Sequence, residues 1–412
     1  MADPGNAQFH LTDPRGASDK SGRTFNNPYQ YFFEQMHMDD AIYADESIYE
    51  YPMQQGGGND GRPYSFGRPS SGGSKAAYPC KSYGQGRINP AYFYGVFDPN
   101  DMRRDVSITM TGSNGKGVEK LIPFVPNSKA EGGGLTLNKW DENRQANPWV
   151  AAQRKSGING PYMRMSEVYL GYAEVCAALG DVVTGKQYLK TVRERSFPQG
   201  LANTDAFIAS FGNDLVRAII EERGFEYAGE GDRRWTLIRS GYLPEDIKRI
   251  KDMTKAMMDG LATKGYYEFE NGNIISAYIW TKLVDAKTIY GHRLTAQCPT
   301  DKVNDPVLYP GWRGQKDNWE EMGLNYGSST PATNLAIKGL FEIVSEEEAA
   351  SLESQGYAKV NWGIDLVDYR DEYDKYLFWD YDYVSAPIYL WPFTPNVMAA
   401  GGFTNGYGFK QE

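Results

Sequence analysis

The sequence is poor in cysteine and histidine. Its 412 residues include 3 Cys and 3 His, and the cysteines lie too far apart for a disulfide framework or a Cys-x-x-Cys zinc site. So few histidines offer little material for a histidine base or a multi-histidine metal site. We therefore expect no metal and no other cofactor, and the composition argues against much enzyme chemistry.

Long apolar runs and an excess of basic residues are also missing. Mean hydropathy is −0.59, and no run approaches the roughly 18 apolar residues that a membrane-spanning helix needs. The chain has 43 Lys+Arg against 53 Asp+Glu and a net charge of −10. Because such a surface repels phosphate backbones, we expect no nucleic-acid partner.

Residues 1–24 are polar and contain no export signal, which predicts a mature, truncated or cytoplasmic chain.

Aromatic residues are what the sequence has in excess. Their share is 14%, from 30 Tyr, 18 Phe and 9 Trp. This is more than a core of this size normally requires, so we expect some rings to contact a ligand.

The first 160 residues favour loops and short strands. An aromatic cluster followed by apolar–polar alternation predicts a helix and then a strand over 28–52. The glycine-rich segment 53–86 indicates a long loop. Alternation from Val106 to Met110, the turn dipeptide Asn114-Gly115 and a return strand over 118–124 predict a β-hairpin.

From Pro161 onward the pattern becomes helical. Apolar residues recur at steps of three and four from Met165 until Gly180 ends the helix. Further helices are predicted over 185–195 and 214–229, and 245–261 is a charged amphipathic segment. These segments suggest antiparallel helical hairpins.

Several charged side chains in 222–233 invite a catalytic interpretation. Carboxylates near arginines are how glycosidases place an acid and a base. However, Glu226 and Arg223, and Glu230 and Arg233, stand at helical spacing and would pair locally, so we favour a structural role. The aspartates between 365 and 382 lack the spacing of a calcium-binding EF-hand loop, and Tyr369, Tyr373 and Tyr376 fit one core-facing helix side.

The rings that we expect to contact a ligand lie mainly on loops. Flat rings offer an apolar face to the C–H surfaces of sugars, while neighbouring polar groups orient the hydroxyls. Core packing is the competing interpretation for each ring. The candidates are Tyr64, Tyr83, Tyr92, Tyr94, Trp140 and Trp149.

Three motifs carry a resemblance to a known family. They are Arg-Met-Ser-Glu-Val-Tyr-Leu at 164–170, the Glu-Arg and Glu-Gly pairs within 222–239, and Tyr-Leu-Trp-Pro-Phe at 389–393. With the strand-like segment 45–50, they resemble the SusD/RagB family of nutrient-binding outer-membrane lipoproteins of Bacteroidota. The resemblance runs from about residue 25 to the end. It is closest to the C-terminal portion of the family, whose N-terminal helical half, export signal and lipidated cysteine do not occur in this chain.

The resemblance implies a mostly α fold: SusD-like helical hairpins of the tetratricopeptide type with long loops and short β-hairpins. After a polar segment, 1–24, the family-like region 25–412 would divide into a ligand-binding part rich in loops and hairpins, 25–160, a helical core, 161–241, and an extended loop-rich part, 242–412.

The resemblance also implies a function. The protein would capture an oligosaccharide, or alternatively a peptide, without catalysis, as the lid of a SusC-like TonB-dependent transporter. It would be a surface-exposed outer-membrane lipoprotein whose lipid anchor is not encoded in this chain. A glycoside hydrolase is equally compatible with the composition, and a structural or adhesive surface protein is a third alternative.

Overall fold

Helices predominate in the structure, and the strands are short. The computed structural model describes residues 11–13, 28–35, 46–54, 66–69, 82–113, 119–124, 134–140, 156–285, 333–371, 389, 393–402 and 404. The helices are α1 Pro28–Gln35, α2 Arg103–Ser107, α3 Met165–Ala178, α4 Val182–Arg195, α5 Thr204–Ala209, α6 Leu215–Glu226, α7 Arg233–Ser240, α8 Leu243–Lys264, α9 Glu346–Ser354, α10 Gly363–Asp368 and α11 Pro395–Gly401, with a π-helical turn at Tyr92–Val96.

All the strand pairs of the described residues are antiparallel. Four two-stranded ribbons pair β1 with β6, β2 with β5, β3 with β4 and β7 with β8, and a three-stranded sheet has the order β10-β9-β11. The strands are β1 Ser47–Tyr51, β2 Ile108–Thr109, β3 Thr111–Ser113, β4 Glu119–Leu121, β5 Thr136–Leu137, β6 Gly160–Arg164, β7 Tyr266–Glu268, β8 Ile274–Ser276, β9 Tyr278–Asp285, β10 Thr333–Lys338 and β11 Ala358–Asn361.

Helices α3 and α4 form a hairpin that packs against α6. Gly180, with φ +88°, terminates α3, and the Asp181 side chain caps α4 by accepting a hydrogen bond from the Thr184 amide at 3.1 Å. Leu170, Leu189 and other apolar side chains of the three helices share one core. A Cβ at Gly185 would lie 2.9 Å from the Ala173 carbonyl oxygen, so only glycine allows the helices to approach this closely.

A second, larger core collects most of the buried rings. It joins the π-helical turn, α8 and the three-stranded sheet. Phe341 packs at 5.5 Å from Phe93, measured between ring centroids, and Trp362 at 4.2 Å from Phe124. Much of the aromatic excess is therefore used in packing.

Most of the predicted elements are present, with shifted ends. The helix and strand expected over 28–52 are α1 and β1, and the predicted amphipathic segment lies within α8. The predicted hairpin is also present, because Thr111 pairs with Leu121 in β3 and β4. Its first strand was wrong at Val106, which is in α2, and its turn lies outside the described residues. The proposed division of the chain into parts stays a prediction.

The segment around Pro161 is a strand, in contrast to the sequence-based expectation. The helical part of the chain was expected from this residue, but Gly160–Arg164 is strand β6; the periodic residues begin at Met165, where α3 begins. Antiparallel pairing with β1 keeps this segment extended.

Candidate ligand-binding site

Two of the predicted ligand-binding rings lie in the interior. Tyr94 and Trp140 are both 0% exposed. The Tyr94 hydroxyl accepts a hydrogen bond from Trp362 Nε1 at 2.8 Å, and burial raises the pKa of Tyr94. Trp140 packs against Leu137 and Ile158. Because neither ring has an exposed face, their positions argue against direct ligand contact, and core packing accounts for both.

The other predicted rings are half-buried or lie outside the described residues. Tyr83 and Tyr92 are half-buried. Tyr92 donates a hydrogen bond from its hydroxyl to the Gly224 carbonyl oxygen at 2.9 Å, and burial raises its pKa. Tyr64 and Trp149 lie outside the described residues. Of the four rings within the described residues, none is freely exposed, and the prediction of a six-ring site stays a prediction.

The charged side chains of 222–233 belong to a buried charge cluster. At its centre, Glu226 is 0% exposed and binds three arginines from three different elements. Arg195 of α4 lies 2.7 Å from its carboxylate and Arg103 of α2 lies 3.1 Å from it. Arg164 of β6 makes a third, very short contact. One carboxylate thus ties α2, β6 and α4 to α6.

The same arginines also form ion pairs with further carboxylates. Glu222 accepts from Arg103 at 2.7 Å and from Arg193 at 2.9 Å. Glu46, just before β1, lies 3.1 Å from Arg164 and 2.5 Å from Arg195. These contacts join segments that are distant in sequence.

Glu230 completes the cluster. It accepts from Arg164 at 2.9 Å and from Lys139 at 2.6 Å. The structural interpretation of these charges agrees with the geometry, but the predicted local pairs were wrong. Arg223 pairs with Asp232, and Arg233 pairs with Glu221 and Asp246, because the buried Arg223 and Glu221 each need a partner of opposite charge.

The arginines control the titration of the cluster. Burial alone would raise the pKa of Glu226, but Arg164, Arg195 and Arg103 hold it well below its ordinary 4.5. Burial likewise opposes ionisation of Glu230, and Arg164 and Lys139 lower its pKa. Burial lowers the pKa of Lys139 from 10.5 to about 8, with Arg164 acting in the same direction and Glu230 opposing it. Glu226 and Glu230 are therefore held ionised, in contrast to a general acid, which must carry a proton.

These pKa values predict an acid-labile fold. A carboxylate with a depressed folded-state pKa stabilises the protein fully above its unfolded-state pKa near 4.5, and that stability is lost as the pH falls toward the folded-state value. We expect the free energy of unfolding to stay nearly level from pH 7 to pH 5 and to fall steeply below pH 4.5. Urea denaturation at each pH measures it.

The matched control for the acid experiment is Asp252→Asn. This substitution removes an exposed pair with Lys248, so the pH profile should keep the wild-type shape. A free energy of unfolding that is equal at pH 7 and pH 3 would contradict the role of the cluster.

The most exposed aromatic group of the described residues lies on the ribbon formed by β1 and β6. Tyr49, Tyr51 and Tyr162 are 57%, 55% and 71% exposed, and Met163 is 40% exposed. We call these four side chains the tyrosine ribbon. Tyr49 and Tyr162 contact one another edge to face across the two strands, with centroids 5.7 Å apart and planes at 87°.

Sequence reasoning missed these rings as ligand candidates. Alternation in 45–51 indicated the half-buried strand, and that period already implies that Tyr49 and Tyr51 share one side. Which side faces solvent depends on Ile48, which packs against the core of the helical hairpin. Tyr162 fell within the part expected to be helical, 161–241, so its place beside Tyr49 was not inferred.

The aspartates between 365 and 382 lie only partly within the described ranges. Within the described ranges, no group of three or more His, Cys, Asp and Glu side chains could hold a metal ion. Asp365 accepts a hydrogen bond from Asn361, whereas Asp374, Asp380 and Asp382 lie outside those ranges. Tyr369 is 43% exposed, so its predicted core position was wrong. None of the helices seen in the described part is long and apolar enough to cross a membrane.

Comparison with known proteins gives a consistent family assignment. A model of the SusD family matches residues 11–393. A SusD-like protein of Formosa agariphila is 28% identical over 160 residues, which cover 39% of this chain and 26% of that protein.

Two solved structures are similar to part of the chain. A SusD homologue of Bacteroides thetaiotaomicron has a TM-score of 0.42 and 19% identity, with 57% of this chain and 48% of that chain covered. Surface glycan-binding protein A of the same organism, in complex with laminarihexaose, has a TM-score of 0.37 and 18% identity, with 59% and 49% covered. The chain therefore spans about half the length of these structures and about a quarter of the curated relative.

Proposed function

Because the chain belongs to the SusD family, we propose that it binds an oligosaccharide at the bacterial cell surface without catalysing a reaction. In this proposal it is a lipid-anchored outer-membrane protein that forms the lid of a SusC-like TonB-dependent transporter and passes the ligand to the barrel. The observation that carries the proposal is the family match over residues 11–393.

The buried charge cluster does not fit the acid–base pair of a glycosidase. A glycosidase needs two carboxyl groups that flank the glycosidic bond, one of them protonated. Glu222 and Glu226 are instead 0% exposed and held by arginines. A sugar could not reach them without breaking ion pairs that hold four elements together.

Calorimetric titration of the 412-residue chain tests the proposal. The panel contains laminarihexaose, maltohexaose, cellohexaose, hexagalacturonate and a mixed peptide pool. We expect saturable binding to one glycan class, with a dissociation constant in the micromolar range and no release of reducing ends during prolonged incubation.

The other outcomes select the alternatives. New reducing ends would favour a glycoside hydrolase, and saturation by the peptide pool alone would favour a peptide receptor. A folded chain that binds no member of the panel would contradict glycan binding. The transporter partnership is tested separately by co-purification with a SusC-like transporter from the same organism.

A further inference from the structure

We propose that the tyrosine ribbon is a stacking platform for the sugar rings of an uncharged oligosaccharide. This inference rests on the proposed function and adds the place of contact and the class of glycan. It concerns Tyr49, Tyr51, Tyr162 and Met163, none of which was among the rings expected from the sequence.

The first argument is the chemistry of the exposed side chains. Each tyrosine offers a flat apolar face, which suits the C–H surface of a pyranose ring, and a hydroxyl that can bond to sugar hydroxyls. Tyr49 and Tyr162 meet edge to face, so each ring limits the orientations of the other. Tyr51 follows Tyr49 by two residues on β1 and is 55% exposed, so it adds a third accessible ring to the ribbon.

The second argument is that the ribbon is rigid at both ends. At one end Ser47 pairs with Arg164, and Arg164 binds Glu46 within the buried charge cluster. At the other end Asn159 donates to Glu50 at 2.8 Å and accepts from the Met53 amide at 2.8 Å. Rings held on a rigid support lose little conformational entropy when a ligand binds.

The third argument is charge. Residues 47–54 and 156–163 contain Glu50 and no other Asp, Glu, Lys, Arg or His. Within these two described segments no side chain offers a cation to a uronate or sulfate group, and the net charge of −10 repels polyanions. An uncharged glycan fits this surface better than an acidic one.

The fourth argument is size. A stable protein–protein interface buries roughly 800 Å² on each partner and uses about 20–30 residues a side. The tyrosine ribbon consists of four large side chains on two short strands, which matches a chain of a few sugars better than a protein partner.

The test compares the wild-type chain with Tyr49→Ala/Tyr162→Ala by calorimetric titration with laminarihexaose, maltohexaose, cellohexaose and hexagalacturonate. We expect the wild type to bind an uncharged hexasaccharide more tightly than hexagalacturonate. In the double variant the dissociation constant should rise by at least about tenfold, because two stacking surfaces are lost.

Two further variants make the result specific. Tyr49→Phe/Tyr162→Phe keeps the stacking faces and should weaken binding by less than about threefold. Tyr369→Ala removes an exposed tyrosine beyond α10 and should bind like the wild type. Circular dichroism checks that all variants are folded, as expected for substitutions at exposed positions.

The outcomes separate this proposal from the proposed function. If the wild type and Tyr49→Ala/Tyr162→Ala bind the same hexasaccharide equally, the platform is refuted while glycan binding stands. If the wild type binds none of the glycans, both fail. If it prefers hexagalacturonate, the argument from charge is overturned.

Discussion

Arg164→Met should lower the free energy of unfolding by about 3–5 kcal/mol, the cost of removing one partner from a buried ion pair. Arg164 is 1% exposed and binds Glu46, Glu226 and Glu230. Methionine has a similar volume but no charge, so the three carboxylates would lose the cation that they share. Urea denaturation of the 412-residue chain at pH 7 measures the change.

Lys139→Met is the matched control within the same cluster. Lys139 is also 0% exposed, but Glu230 would keep its bonds to Arg164 at 2.9 and 3.0 Å. Burial already disfavours the charged form of this lysine, as its lowered pKa indicates, so we expect a clearly smaller loss. Equal effects of the two substitutions would refute the central role of Arg164. A variant recovered only as unfolded protein would agree with the upper end of the range.

Arg164 also links the fold to the proposed binding surface. It is the last residue of β6, next to Met163 of the tyrosine ribbon, and its side chain enters the buried charge cluster. The cluster thus fixes the β1–β6 ribbon relative to α4 and α6. Buried ion pairs often contribute less to stability than apolar packing would, but they constrain geometry through their directional hydrogen bonds. In this protein the constraint falls on the strands that carry Tyr49 and Tyr162.

Local patterns were sufficient to predict α3, α4, α6 and α8, although several shorter helices were not predicted. The periods of α3, α6 and α8 arise from residues within each segment, and Gly180 and Asp181 mark the end of one helix and the start of the next through local chemistry. Strand β6 could not be predicted in this way. Its conformation depends on pairing with β1, about a hundred residues earlier, and a tertiary contact of that kind leaves no local period.

The ion-pair partners of the charged residues could not be predicted either, because they also depend on tertiary contacts. Glu226 and Arg223 have helical spacing, and a local pair is what sequence reasoning can derive. The actual partners of Glu226 come from α2, β6 and α4. Only the folded arrangement shows that this face of α6 is buried, and burial decides which charges must meet.

The composition shows how many aromatic rings the chain has but does not predict which are buried and which are exposed. An aromatic share of 14% can be used in a core or on a surface, and here both uses occur. Tyr94 is fully buried, whereas Tyr162 is 71% exposed. The separation depends on which side of a strand or turn faces the interior, and this follows from pairing and packing rather than from residue type.

Substitutions at Tyr94 test directly whether this ring stabilises the core or binds a ligand. Tyr94→Ala should lower the free energy of unfolding by about 3–5 kcal/mol, because it opens a cavity in the aromatic core. Its ring centroid lies 5.0 Å from that of Phe93 and 5.3 Å from that of Phe341. Tyr94→Phe keeps the ring but removes the acceptor of Trp362 Nε1. We expect it to cost about 1–3 kcal/mol, the penalty for a buried donor without a partner.

Binding and stability together decide the role of Tyr94. In the core interpretation, Tyr94→Phe weakens the fold and leaves the affinity for the glycan unchanged at a temperature where the variant is folded. Tyr369→Ala, at an exposed position, should change stability by less than about 0.5 kcal/mol. If Tyr94→Ala were as stable as the wild type but bound the glycan more weakly, Tyr94 would be a ligand-binding residue and the core interpretation would be wrong. If Tyr94→Ala instead loses stability and only Tyr49→Ala/Tyr162→Ala loses glycan binding, the tyrosine ribbon binds the glycan and Tyr94 stabilises the core.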